Sequence, residues 1–514
     1  VGVNLRRSSE KILNFCIYPA FEIMQELKRL VEIIADNTPK VLPVIDQFDN
    51  VSLEGKLYNI IKDSRSLTDK EACLYLYGED KLTPSYRMLK SRLRKKLLNS
   101  LILTEISESH LRLYRIHQAE CLTLIQQANK LMMLGDYTLA DKLTDQVIVI
   151  AEKAELNDIL AKAYEVKQHF VLLSNDRDRF EKTLGLLKHY YYLDSKEREA
   201  NILYNELKFE VSINISNSRK QGATYTDKLL KLKELWESTG SSYIYDYYHM
   251  LHIGHCEIYG DYEGIILAIE EAEDLNAKGL INDIWVNHRF HNYIKVYAYL
   301  RLGQYTAGLH YAKLYLSSFQ KGSNNWFAFL ENYLILALHS KNYGLALEIS
   351  KTASENDLFN NLLPRFKEML GLLLRYTQLL VQDQSLDISY ETEYRTLIIS
   401  KDKEGLNLPL LILEYLEDLP KLDTEDMEQY IARFSKYSSK YLKGEIWARA
   451  RLFIRMLLLS MRTEGNKLQE KGAALLEELK NTPPPHDPVA EVEIVPYEHL
   501  WELVLELHSK RSQR

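Results

Sequence analysis

Gly260-Asp261-Tyr262-Glu263-Gly264, Gly303-Gln304-Tyr305-Thr306-Ala307-Gly308 and Lys341-Asn342-Tyr343-Gly344-Leu345-Ala346 lie within one stretch, residues 242–355. Each has a turn residue, a polar residue and a tyrosine, with a small residue two or three positions beyond the tyrosine (Gly264, Gly308, Ala346) and another upstream (Gly254, Ala298, Ala337). Long helix-forming runs separate them, so the stretch reads as three consecutive helical hairpins. Small residues let antiparallel helices approach closely, and the aromatic fills the notch between one hairpin and the next. That is the logic of stacked helical repeats.

Working outward, the same mark recurs at Gly135-Asp136-Tyr137, after a helix expected over 118–134. Phe180 and Tyr225 are degenerate marks between it and Tyr262, giving a ladder with steps of 37 to 45 residues. Beyond Tyr343 helices are expected over 362–381, 391–399, 409–416, 427–441, 445–461 and 467–479. Pro483-Pro484-Pro485 then reads as an extended linker, and Leu500, Val504 and Leu507 mark a last amphipathic helix suited to capping the stack.

These turns resemble tetratricopeptide (TPR) repeats over about residues 115–355. The resemblance implies an all-α fold, a TPR-like α-solenoid of hairpins, with 114–480 as the solenoid, 481–514 as linker and C-terminal helix, and 1–113 as an N-terminal helical region. First helices of such hairpins line a concave groove. His249, His252, His288, Asn292, Lys295, Asn325 and Asn332 are the residues expected there, with the Asn amides able to clamp an extended peptide backbone.

Composition agrees with an all-α fold. The chain has 514 residues, 46% hydrophobic and 27% charged, but only 20 Gly and 12 Pro, too few for the turns of a mostly-β fold. Its 35 tyrosines are read as packing residues between helices. Cys16, Cys73, Cys121 and Cys256 are scattered without paired spacing, which points to a reducing compartment rather than a disulfide framework. No apolar run reaches the roughly 18–20 residues needed to span a bilayer. No membrane association is expected, the chain's start shows no signal-peptide pattern, and cytoplasmic location is the expectation. A net charge of −7 argues against a protein basic throughout while leaving room for a local basic patch.

One such patch lies in the N-terminal region, where residues 53–104 read as helix, tight loop, helix. Thr68-Asp69-Lys70-Glu71 is a capping box, Gly78 a helix stop, and Thr83-Pro84 an N-cap with a first-turn proline. The helix that follows carries Arg87, Lys90, Arg92, Arg94, Lys95 and Lys96 without an acid, around an apolar stripe of Tyr86, Leu89, Leu93 and Leu97. It suits either a solvated face or a DNA groove. Tyr77-Gly78 and Ser91-Arg92-Leu93-Arg94-Lys95-Lys96-Leu97 resemble the recognition-helix region of bacterial winged-helix activators. That resemblance implies a helix-turn-helix, with residues 101–106 and 111–116 as a two-stranded wing.

Signatures of catalysis are missing: no phosphate-cradling glycine loop, no Gly-x-Ser-x-Gly elbow and no His-Glu-x-x-His. His249, His252 and Cys256 share one helix face, and His288 and His291 sit one hairpin later. Zinc wants four such ligands in a tetrahedron. The aromatic surroundings favour packing or groove-lining histidines, so no metal, cofactor or catalytic residue is assigned. The expected function is a non-catalytic adaptor or scaffold holding a peptide or protein segment in the groove. The alternative is a bacterial transcription regulator with a DNA-binding element at residues 85–96 and a sensory or oligomerising repeat domain.

Overall fold

A computed structural model of the chain describes residues 27, 28, 31, 51–63, 68–78, 83–101, 112–173, 176–213, 222–362, 364–382, 407–463, 465–484 and 493–512. Among these residues the regular structure is entirely helical, with no strand. The expected helix over 391–399 and most of residues 1–50 of the expected N-terminal helical region lie outside them. Three helices form an N-terminal unit: α1 (Leu53–Asp63), α2 (Asp69–Tyr77) and α3 (Pro84–Leu101). Its own core joins Leu57, Tyr58 and Ile61 to Ala72, Cys73, Tyr86, Leu89, Leu93 and Leu97.

Local chemistry explains each boundary of that unit. The Thr68 hydroxyl accepts from the Glu71 amide while the Glu71 carboxylate accepts from the Thr68 amide, closing the capping box at α2. Gly78 ends α2 in the left-handed conformation at φ 71°, its amide donating to the Leu74 carbonyl. The Thr83 hydroxyl accepts from the Tyr86 amide to start α3.

The rest of the chain alternates helix and tight turn. In order come α4 (Leu113–Met133), α5 (Tyr137–Lys153), α6 (Asn157–Leu173), α7 (Arg177–Ile213), α8 (Gly222–Thr239), α9 (Ser242–Tyr259) and α10 (Tyr262–Ala277). Then follow α11 (His288–Arg301), α12 (Tyr305–Tyr315), α13 (Asn324–His339), α14 (Tyr343–Ser354) and α15 (Pro364–Val381). The chain closes with α16 (Asn407–Asp418), α17 (Thr424–Tyr441), α18 (Ala448–Arg462), α19 (Asn466–Lys480) and α20 (Tyr497–Ser512). Helices adjacent in sequence pack against each other through most of this run.

The repeated turn has a single mechanism. Gly135, Gly260 and Gly303 take left-handed φ of 84°, 73° and 70°, and Lys341 takes the same role at 55°. The next residue's amide reaches back to the carbonyl five positions earlier: Asp136 to Leu131 at 3.0 Å, Asp261 to Cys256 at 2.8 Å, Gln304 to Tyr299 at 3.0 Å and Asn342 to Ala337 at 2.9 Å. That residue then starts the following helix. Asp136, Asp261 and Asn342 cap it by accepting the amides of Leu139, Gly264 and Leu345. The tyrosine falls at the first helical position, and at three of the four turns its ring meets an aromatic on the next helix. Tyr137 meets Phe170 at 6.5 Å between centroids, Tyr262 meets Tyr297 at 6.0 Å, and Tyr305 meets His339 at 5.1 Å.

Two expectations are corrected. Residues 113–116, expected in a wing strand, form the first turn of α4, and Leu101 ends α3; residues 102–111 lie outside the described set. The ladder step between Phe180 and Tyr225 is not a hairpin. Most of it is α7, one helix of 37 residues, about 55 Å long at 1.5 Å per residue. Its first half packs on α6, with Tyr190 stacked on Tyr164, and its second half on α8 and α9, with Tyr204 stacked on Tyr247. Phe180 sits at the start of this helix and Tyr225 inside α8, so neither marks the same turn.

α20 folds back along the chain. Leu500, Trp501, Val504 and Leu507 are buried in the core shared with α13 to α19, and Tyr497 stacks on Phe453 at 4.5 Å. Lys341 in the α13–α14 turn binds both oxygens of Glu502 at 2.9 and 2.7 Å. Gln382, just past α15, bonds Glu506 and Lys510.

Candidate functional site

The seven residues expected in a groove are divided by the structure. α9 carries His249 and His252, and α11 carries His288, Asn292 and Lys295. His249 is buried, and its Nε2 meets Nε2 of the equally buried His291 at 2.9 Å. Burial first, and then the neighbouring His291, holds His249 well below the usual imidazole value; burial likewise pushes His291 down to about 4. Both rings are therefore neutral at pH 7, one donating and the other accepting.

The other histidines do not share this hydrogen bond, although the His288 ring lies edge-on to His291 at 6.4 Å between centroids. His252 stacks on Tyr248 at 5.5 Å between centroids. His288 is exposed with Nε2 at 2.8 Å from Asp283. Cys256 belongs to a different cluster with Ile253, Tyr262 and Ile265, and burial pushes its thiol up to about 12. Among the described residues no group of three or more His, Cys, Asp or Glu is arranged to hold a metal ion.

Lys295 is buried, its ammonium 3.7 Å from Glu270 and 4.0 Å from Glu273 and lying over the Tyr311 ring. Asn332 is buried as well, with no partner for its amide nitrogen. Asn292 is half-buried and donates to Ser318 at 3.2 Å, while Asn325 is exposed near the start of α13. His249, Lys295 and Asn332 are thus interior residues. His288 and Asn325 are the two of the seven that lie openly on the surface.

An apolar surface that the residue pattern did not flag sits at the other end of the repeats. Met133 and Leu134 are 87% and 82% exposed at the α4–α5 turn. Exposed Tyr137 follows at the start of α5. The only signal of this surface in the sequence is the run Leu131-Met132-Met133-Leu134 continuing to the turn glycine.

On α3 the apolar stripe is as expected: Tyr86, Leu89, Leu93 and Leu97 are fully buried. Lys90 is buried with them. Its ammonium lies 2.9 and 2.8 Å from the two oxygens of Asp69 on α2, so this lysine joins two helices and is not available to an external phosphate. Arg92 pairs with Glu54 of α1 at 2.9 Å. Arg87, Arg94 and Lys95 are exposed and Lys96 is half-buried. Asp69 and Glu54 had no local signal, since they reach α3 from separate helices.

The chain matches no family model, no curated protein and no solved structure with which it was compared.

Proposed function

We propose that the chain is a non-catalytic adaptor, a TPR-like α-solenoid that holds a protein or peptide segment in a reducing compartment such as the cytoplasm. The exposed Met133, Leu134 and Tyr137, gathered at the α4–α5 turn, carry this reading. Apolar side chains gathered at one place on a surface gain free energy when a partner covers them, by about 25 cal/mol per Å² removed from water. The recurrent turn, with its ring reaching the next helix, supports the solenoid, because each hairpin lends its neighbour an apolar face. The Asn325 and His288 surface is the remaining part of the expected groove and belongs to the same reading as a polar contact.

Site-specific photo-crosslinking in the native cell tests it. A benzophenone side chain at Leu134, at Asn325 or at His288 is expected to form a discrete protein adduct that survives nuclease treatment. An adduct at Leu134 alone would move the partner site from the groove to the hairpin end. Absence of a protein adduct at all three positions would overturn the adaptor.

A further inference from the structure

We propose that α3 presents a reading face for the major groove of duplex DNA, with Met88, Ser91, Lys95 and Asn99 outermost and Arg87 and Arg94 along one flank. This inference concerns the N-terminal unit alone and is independent of the adaptor reading.

The argument starts from how α3 is held. Tyr86, Leu89, Lys90, Leu93, Leu97 and Ser100 are buried, so one side of the helix faces α1 and α2. At 100° per residue the opposite side is centred on Ser91 and Lys95, with Met88 and Asn99 beside them. Those four are exposed, Met88 by 62%. Arg87 and Arg94, two turns apart, border this side along one edge, and both are exposed. A helix about 10–12 Å across with its side chains fits a major groove about 12 Å wide. Its outermost residues then face base edges while flanking cations reach phosphates. Serine, lysine and asparagine each have a base-edge partner there, and a methionine has the thymine methyl.

Electrostatics favour an anionic partner. Among described residues 51–101 there are nine Lys and Arg against four Asp and Glu, and α3 itself has no acid. Three of those carboxylates are already engaged: Glu54 by Arg92, Asp69 by Lys90 and Glu71 in its capping box. The buried Lys90–Asp69 pair has a further effect. It ties α2 to α3, with the Tyr86 hydroxyl also donating to Asp69 at 3.0 Å, so the outward face is fixed in orientation. A helix that meets an anion by a fixed face, not by mobile charges alone, is able to read shape and sequence.

The test uses the full-length chain and a labelled duplex of about 20 base pairs with randomised sequence, followed by anisotropy between about 50 and 200 mM salt. Binding is expected to weaken steeply with salt. The double variant Arg87→Gln/Arg94→Gln is expected to weaken it at least tenfold at the lowest salt and to reduce the log–log salt slope by about 2. Both side chains are exposed, so an unchanged thermal melt certifies the fold of the variant. Selection of bound duplexes is expected to enrich a sequence whose preference relaxes in Ser91→Ala/Asn99→Ala. Undetectable duplex binding at the lowest salt would overturn the proposal. So would binding that the Arg87→Gln/Arg94→Gln variant leaves unchanged, or equal affinity for duplex RNA and for polyglutamate, which would make α3 a general polyanion surface.

Discussion

Nε2 of His249 on α9 and Nε2 of His291 on α11 face each other across 2.9 Å inside the protein, joining consecutive hairpins by a single hydrogen bond. Nδ1 of His291 has no partner, and an orphan acceptor costs less than an orphan donor. His291 therefore donates from Nε2, and His249 accepts.

This pair makes the fold sensitive to acid. In the unfolded chain each imidazole titrates near 6.5, whereas in the fold His291 does so at about 4 and burial holds His249 well below its usual value. Between those values the unfolded state binds more protons, so the pair's contribution is complete above 6.5 and is lost as pH falls towards 4. His291 alone accounts for about 3 kcal/mol across that window at about 1.4 kcal/mol per unit. Urea unfolding of His291→Gln is expected to show lower stability at pH 7 but a shallower loss between pH 6.5 and 4.5. Parallel pH curves for the two proteins would show that the histidines do not carry the effect.

A carboxyl group works in the opposite sense on the same helix. Glu257 is buried, and its burial raises it from 4.5 to about 8, so it is protonated in the fold at pH 7. Here the folded state binds more protons, and stability falls as pH rises from 4.5 to 8. The windows of Glu257 and the histidine pair overlap below 6.5 with opposing signs, so Glu257 is separated from the pair above it. Glu257→Gln is expected to gain on the wild type between pH 6.5 and 8, by at most about 1.4 kcal/mol per unit. A difference that stays constant over that range would contradict the assignment.

The small residues flanking the turns are not equivalent. A methyl group on Gly308 of α12 would lie 2.7 Å from Leu336 Cδ2 on α13 and 3.3 Å from Tyr299 Cβ on α11, both on neighbouring helices. Leu336 is fully buried and has little room to yield. Gly254 in α9 has only the Tyr225 hydroxyl nearby, at 3.9 Å, and Gly264 faces its own cap, Asp261. Gly308→Ala is therefore expected to cost about 1–3 kcal/mol by overpacking. Gly254→Ala should gain roughly 0.5–1 kcal/mol from helix propensity. Thermal melts with the same sign for both would refute the distinction.

How far the sequence anticipated the molecule follows from the range of each interaction. The turns at Tyr137, Tyr262, Tyr305 and Tyr343 were legible because a left-handed residue, a cap and an aromatic are chemistry within a few positions. The α2 capping box and the Thr83 cap were legible for the same reason. The length of α7 was not, since residues 177–213 contain no proline and one glycine, and nothing local stops or continues a helix there. Lys90 was readable in part. Tyr86, Lys90, Leu93 and Leu97 follow helical spacing, which puts the lysine within the apolar stripe, but its counter-charge Asp69 comes from another helix. Pairing of His249 with His291 and burial of Asn332 needed the tertiary arrangement, as did the docking of α20 beside a turn about 160 residues earlier.

That docking rests on a buried cation. Arg449 of α18 bonds both oxygens of Glu493 and both of Glu498, and donates to the carbonyls of Leu479 and Thr482. Burial holds the Glu493 carboxyl above its usual value, against the pull of the Arg449 guanidinium. Removing the arginine leaves two carboxylates facing each other with little water, which costs far more than the pair's own net contribution. Arg449→Met is expected to lose about 3–5 kcal/mol in urea unfolding. Adding Glu493→Gln and Glu498→Gln removes the stranded charges and should return part of that loss, though not the two carbonyl bonds. If the triple variant were no more stable than Arg449→Met, the penalty would lie in lost packing, and α20 would be seated by Trp501 and its apolar neighbours instead.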